Sequence, residues 1–479
     1  MTQMEPEQIL ARHARAAERR RPLEATWQAC YDHALPAHGA APLFDATAAD
    51  AAEQLAASLL AELAPPWSRW FALAPARGLH DAAERAFAAT LAEVADTLQG
   101  HLDRSNFALE LHQAFLDLVV AGTGVLSIEE APPGEPSALR FRAVPLREAV
   151  LEEGASGRLD TVFRALRLTP EELRLRFPLA PLPPPRGEDG AKLRVVEAAW
   201  PDPHSGHRFA AVMDTEESAP VLLASGRFAE NPFVAFRWLK LPGETYGRGP
   251  VAKALPDIRT ANKVVELILK NASIAATGIW QAEDDGVLNP ATIRLVPGAI
   301  IPKAAGSAGL TPLAAPGNFD VSQLVLRDLR ERIRGALLAD RIAQAERTAM
   351  TATEVMERSA TAARLLGATY GRLQVELLTP LIARCLAVLR RRGEIPHLAL
   401  DGREVRLVYA SPLARVQARA DAADTILFLE AAAKLGGEAA ASIDAGAAAR
   451  WLGRTLGTPP EILRPQPATT HETTNQERA

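Results

Sequence analysis

Few residues in this chain are of a type and spacing that could do chemistry. Glu283, Asp284 and Asp285 stand together ahead of Gly286, and clustered carboxylates of this kind hold Mg²⁺ in nucleases. Such a site needs further carboxylates from separate elements, which the sequence does not identify; a solvated acidic hairpin tip is the plainer reading. A G-x-x-x-x-G-K-[ST] phosphate loop is absent, which argues against an ATPase motor. So is H-E-x-x-H: the nearest approach, His471-Glu472, sits in a polar tail. The 10 histidines scatter without ligand spacing, and the offset of His101 from His112 does not align them on a helix. Trp67 and Trp70 lie among prolines and aliphatics and Trp238 in an apolar run, so they read as core residues rather than stacking platforms. Arg341 and Arg347 remain, as a solvated helix end or as a transient phosphate contact. The expectation is no catalytic residue, no metal and no cofactor.

The elements that position these residues follow from periodicity. Glu5 to about Leu118 is mostly helical, with Ala48–Ala64, Asp81–Leu102 and Phe107–Val120 the clearest stretches. After Gly122 the period switches to alternation, and strands are expected at Leu139–Val144, Ala149–Leu151, Thr161–Leu168, Leu193–Trp200, Phe209–Met213, Val221–Leu223 and Phe233–Leu239. Glu152 to Arg158 reads as a hairpin loop, and Thr169-Pro170-Glu171-Glu172 as a capped helix start. A tight turn, Tyr246-Gly247-Arg248-Gly249-Pro250, then launches a helix from Val251 to about Ala276. Leu255, Ile258, Val265 and Ile268 recur along it at helical spacing, with Arg259, Lys263, Glu266 and Lys270 on other faces. The acidic triplet falls in the segment that follows. A second charge-dense helix is expected over Asp320–Ala343, with Arg327/Glu331 and Asp328/Arg332 as i,i+4 pairs. A long helix starts at the capping box Thr351-Ala352-Thr353-Glu354 and runs to about Arg392, with a kink at Pro380.

Composition bounds the function. The chain has 479 residues, 48% of them hydrophobic but only 5% aromatic, so Ala and Leu carry the packing and favour helices. Cys30 and Cys385 are far apart and read as reduced thiols. The charged amino terminus has no apolar core of a secretory signal, and no run approaches the ~18 apolar residues a membrane span needs. A net charge of −5 argues against a protein that grips DNA through counterion release, but not against one through which DNA slides.

Several stretches together resemble the portal proteins, or head-to-tail connectors, of short-tailed bacteriophages. They are Trp70-Phe71-Ala72-Leu73, the helix–glycine–strand junction at Ala121–Glu129, Tyr246-Gly247-Arg248 with Pro250, and Ala254-Leu255-Pro256-Asp257-Ile258. Thr351-Ala352-Thr353-Glu354-Val355 and Ser411-Pro412-Leu413-Ala414 complete the series, in the same order as in the family. The resemblance implies a mainly α fold with α+β parts. It implies a wing over 1–245, a first stem helix over 246–276, a small β-containing clip over 277–318 and a second stem helix over 319–343. A tunnel loop over 344–351, a long wing helix and return strand over 352–410, a helical crown over 411–458 and a disordered tail over 459–479 follow.

It implies also a structural role: a ring of about twelve subunits at one capsid vertex, whose contacts close by rotation. That ring nucleates head assembly with the major capsid and scaffolding proteins, conducts double-stranded DNA without sequence specificity in packaging and ejection, and docks the terminase large subunit, then tail adaptors. Its place is the virion, with the host cytoplasm during assembly, and no membrane. Tyr246, Gly247, Arg248 and Pro250 then mark the start of the stem, Arg341, Gln344, Arg347 and Thr348 the tunnel loop, and Glu283, Asp284 and Asp285 a partner-docking edge of the clip. The alternatives are a nucleic-acid-processing enzyme with an acidic metal site and a ring-forming capsid or tail adaptor that conducts no DNA.

Overall fold

A long amino-terminal helix, α1 (Pro6–Ala34), lies against two different layers of the molecule. The computed structural model describes residues 4–37, 39, 41–66, 68–75, 81–180, 192–204, 206–215, 219–277, 280–281, 311–312, 319–339, 367, 369–397, 405–409, 412–435 and 442–456. After α1 come α2 (Thr47–Leu63), β1 (Phe71–Pro75), α3 (Asp81–Asp103) and α4 (Phe107–Ala121). Eight strands and one short helix follow: β2 (Thr123–Glu130), β3 (Leu139–Ala143), β4 (Ala149–Glu153), β5 (Leu159–Leu168), α5 (Pro170–Arg176), β6 (Leu193–Pro201), β7 (His207–Asp214), β8 (Val221–Phe228) and β9 (Phe233–Arg237). The rest comprises α6 (Pro250–Thr277), β10 (Trp280–Gln281), β11 (Thr311–Pro312), α7 (Phe319–Ala336), a π-helical turn (Gln374–Leu378) leading into α8 (Thr379–Arg391), β12 (Val405–Tyr409), α9 (Pro412–Leu435) and α10 (Ala445–Leu456). The fold mixes helix and sheet.

β4 to β8 form a five-stranded antiparallel meander with both faces covered. Alternation decides which residue faces which layer. Val196, Ala198, Ala210 and Val212 point at Ile9 and Ala16 of α1, while Val195, Ala211 and Met213 point at Leu173 and Phe177 around α5. Helix α5 starts with the expected box: Glu172 N donates to Thr169 Oγ1 at 3.3 Å and Thr169 N to Glu172 Oε2 at 2.8 Å. A second sheet, β3-β2-β9, lies beside the main core, where Leu55, Leu59, Phe115, Leu118, Phe236, Leu377 and Leu381 are all buried. Strand β1, carrying Phe71, pairs antiparallel with β12, and the small pair β10-β11 follows α6.

Among the described residues the expected strands and helices are present within a few residues, with these differences. Glu152 and Glu153 belong to β4 rather than to the loop, because both stay paired to β5. The second charge-dense helix ends at Ala336 and not near Ala343: Leu338 takes a left-handed φ of 58°, and its N–H turns back to Gly335 O. On that helix the Asp328–Arg332 separation is 4.0 Å, because the Arg332 guanidinium also donates to Asp257 of α6 at 2.9 Å. Pro380 acts through the π turn that precedes it. Cys30 and Cys385 are buried and free, and burial pushes their thiols up to about 11 and about 12. Trp70 is buried; Trp67 lies outside the described residues. No helix among the described residues is long and apolar enough to cross a membrane.

Two layers meet at Asp117 of α4. Its carboxylate accepts Tyr31 Oη of α1 at 2.8 Å and Leu146 N, just ahead of β4, at 3.2 Å. Desolvation raises this carboxyl to about 6, against the lowering effect of both bonds and of nearby Arg147. The folded state therefore holds the proton more tightly than the unfolded chain. That contribution is complete below the unfolded value of 3.8 and is lost as pH rises through about 6, a change on the order of 3 kcal/mol. Urea midpoints of the native chain are expected to fall between about pH 4 and pH 7 more steeply than those of Asp117→Asn; parallel profiles contradict this.

Candidate functional site

The turn singled out by sequence, Tyr246 to Pro250, sits where the sheets, the helices and the long π-to-α8 helix converge. Strand β9 is apolar except at its last residue, Arg237, whose side chain is fully buried. Its guanidinium faces Glu376 of the π turn, with Nη2 donating to Oε1 at 2.7 Å, and its backbone N–H donates to Glu376 Oε2 at 3.0 Å. The remaining donors go to Thr245 O (3.1 Å) and Gly157 O (2.8 Å). Glu153 stands 3.5 Å from Nη1, and Arg372 reaches Glu376 at 3.3 Å. One buried cation thus joins the end of β9, the β4–β5 hairpin, the backbone before the turn and the π turn.

The chain after Arg237 folds back on the end of α4. Gly122 caps that helix with φ 87°, donating N–H to Leu118 O, and its carbonyl accepts Trp238 N at 2.9 Å. The turn then presses against it backbone to backbone. A Cβ on Gly122 would stand 2.3 Å from Gly249 N, one on Gly247 would stand 2.1 Å from Gly122 O, and one on Gly249 would stand 2.5 Å from Val119 O. Only glycine fits at these three points. Gly247 N donates to buried Thr123 Oγ1 at 2.9 Å, and Arg248 N to Leu239 O at 2.8 Å.

Tyr246 anchors the turn on the opposite side. Its hydroxyl accepts Leu151 N of β4 at 2.9 Å, and its ring meets Trp27 of α1 edge-on at 5.1 Å. Burial pushes its phenol up to about 12. Arg248 differs from its neighbours: its guanidinium lies at the surface and pairs with Glu244 at 3.0 Å. Pro250 then opens α6, whose Val251, Leu255 and Ile258 enter the main core. Helix α7 packs alongside through Leu326, Leu329 and Ile333, and Arg330 reaches buried Asp45 at 2.8 Å.

Tyr246, Gly247, Arg248 and Pro250 are therefore brought together as one built turn. The sequence reading missed Arg237, Glu376 and Thr123, which hold it. The signal available for the first was a lone charge ending the apolar run Phe233–Trp238, and for the second a lone acid in the helical stripe around Leu373 and Leu377. Glu283, Asp284, Asp285, Arg341, Gln344, Arg347 and Thr348 lie outside the described residues, as does the Thr351–Val355 helix start. Among the described residues no group of three His, Cys, Asp or Glu could hold a metal. His101 is committed to the core instead, its Nδ1 accepting Ala138 N at 3.1 Å and its Nε2 lying 2.6 Å from Glu394.

The family model of the bacteriophage head to tail connecting protein matches residues 6–463, so it spans the turn, both helices after it and the π turn. The chain belongs to that family. Among its relatives, the portal protein of Escherichia phage T7 is 24% identical over 328 residues, covering 66% of this chain and 59% of that protein. The probable portal protein of Bordetella phage BPP-1 is 25% identical over 451 residues, covering 88% and 80%. The match thus spans less than two thirds of the T7 protein and more of the Bordetella phage one. A chain in the neck of a native gene transfer agent particle, solved with C12 symmetry, is 11% identical with a TM-score of 0.42, covering 89% of this chain and 93% of that one. Membership makes this connector a structural protein, and the alternative of a nucleic-acid-processing enzyme falls with it.

The buried pair gives the connector a measurable weak point. Glu376→Ala strands the Arg237 charge in the interior and is expected to cost about 3–5 kcal/mol. Arg237→Met combined with Glu376→Leu removes both charges and is expected to cost less than the single change. Denaturant midpoints of the three proteins check both statements.

Proposed function

We propose that this connector is the subunit of a portal: a ring of about twelve copies at one capsid vertex that conducts double-stranded DNA and then carries the tail. The observation that carries the reading is the family match from residue 6 to residue 463. In this reading residues 1–245 form the wing, α6 and α7 the two stem helices, and residues 277–318 the clip between them. Residues 344–351 form the tunnel loop, 352–410 the long wing helix with its return strand, and 411–458 the crown. The Tyr246–Pro250 turn is where wing passes into stem. Its rigidity suits that place, because a stem helix contributes to a channel only if its direction is fixed relative to the body that meets the next subunit.

The net charge of −5 supports conduction over grip, since a duplex that must slide is slowed by each phosphate contact. The ring contacts are heterologous, one face of each subunit meeting a different face of the next. The proposed location is the virion, at the capsid vertex, with assembly in the host cytoplasm. The proposed partners are the major capsid and scaffolding proteins, the terminase large subunit and the tail adaptors. An adaptor ring that conducts no DNA is the competing assignment within the same structural class.

Negative-stain microscopy of the purified chain is expected to show rings with an axial hole wide enough for a duplex; a compact monomer overturns the reading. Replacing Arg341 and Arg347 together with Ala is expected to change DNA retention in filled heads while rings still form. Loss of the rings assigns those residues to structure instead. Charge reversal at Glu283, Asp284 and Asp285 is expected to weaken terminase or adaptor binding at low salt, and unchanged binding removes them from the docking edge.

A further inference from the structure

The helix that carries Glu376 contains one residue too many for an α-helix, and the surplus is held from two sides. Across Gln374–Leu378 the backbone takes π geometry, with Thr379 N donating to Gln374 O, five residues back. Pro380 explains why an α turn is unfavourable here: it has no N–H to give, and its ring would collide with the carbonyl four residues earlier, that of Glu376. Gln374 O is then met by two hydroxyls, Thr379 Oγ1 at 2.9 Å and Tyr409 Oη at 3.2 Å, which lie 2.6 Å from each other. When one of these hydroxyls donates to the other, the second is free to donate to Gln374 O. Tyr409 belongs to β12, fixed in register by its pairing with Phe71 of β1. On the other side, Glu376 is fixed by the side chain and backbone of Arg237 at the end of β9.

We propose that this π turn is a register catch, clamped by Tyr409 and Thr379 on Gln374 and by Arg237 on Glu376, that sets the helix preceding it relative to α8. Returning residues 374–378 to α geometry turns everything ahead of them by about 100° and shifts it by about 1.5 Å along the axis. Tyr370 and Leu373, both buried, change their facing in the process, so the two registers are discrete rather than graded. The consequence for DNA rests on the portal reading, in which residues 344–351, proposed as the tunnel loop, precede this helix in the chain.

The test is cryo-electron microscopy of the full chain, native and carrying Thr379→Val, Pro380→Ala and Tyr409→Phe together. These changes remove the hydroxyl clamp and restore the missing N–H, and Thr379→Val and Tyr409→Phe nearly keep side-chain shape. The variant is expected to run as continuous α-helix through residues 374–378, with the preceding segment advanced by one residue; a persisting π turn overturns the proposal. Should the triple variant fail to fold, Tyr409→Phe alone is expected to exchange the Thr379 amide hydrogen about tenfold faster, and unchanged exchange also overturns it. Filled heads bearing the shifted variant are expected to lose or retain DNA differently from native heads. A shifted register with unaltered retention removes the link to the loop. Absence of rings from the native protein would fault the portal reading and leave the register result standing.

Discussion

Everything around the turn depends on a charge that has nowhere else to go. Arg237 is fully buried, and a guanidinium in that position is tolerated only if its donors and its charge are all met. Glu376 meets the charge, Thr245 O and Gly157 O take further donors, and Glu153 stands close by. These groups come from the β4–β5 hairpin, the backbone before the turn and the π turn, so with β9 itself one side chain fixes the relative position of four segments. Replacing such a pair with apolar residues is often neutral for stability. What apolar residues do not supply is direction: a bidentate ion pair admits one orientation of the helix that carries Glu376, whereas an aliphatic contact admits several.

The three glycines act on the same junction by a different means. The turn approaches the end of α4 so closely that a methyl group at Gly122, Gly247 or Gly249 would overlap backbone atoms. Close approach lets Trp238 N and Gly247 N reach Gly122 O and Thr123 Oγ1, which leaves few buried backbone groups unmet as the chain leaves the sheet. The ion pair orients and the glycines hold the distance. Tyr246 adds a third tie by placing one hydroxyl on β4 and one ring face against α1.

Local pattern made much of this legible in the sequence, and long-range chemistry did not. The meander strands and the Thr169 capping box depend on residues within a few positions of each other, and they appear where alternation and capping place them. The turn was visible through its glycines and proline. Its partners were not, because Arg237 and Glu376 are 139 residues apart and each sits alone in an otherwise apolar run. Pro380 announced an irregular helix, yet a kink and a π turn have the same local signature; Tyr409, from a distant strand, decides between them. The early end of α7 at Ala336 rests on a left-handed Leu338, a conformation that no propensity scale assigns to leucine.

The charges on α6 and α7 are arranged consistently with the proposed passage of DNA. Lys263 and Lys270 both hold Glu266, Arg332 holds Asp257, and Arg330 holds Asp45. A cation already paired with a carboxylate releases little when a phosphate comes near, because the exchange trades one ion pair for another instead of freeing a counterion. These four cations can therefore sit on the two helices without making them adhesive to a polyanion. Arg332–Asp257 also ties α7 to α6, and Arg330–Asp45 ties α7 to the segment ahead of α2, so two of the pairs that keep the surface from gripping also cross-link the helices. A helix stripped of its cations would lose those cross-links, and one stripped of its acids would bind the duplex it is proposed to pass.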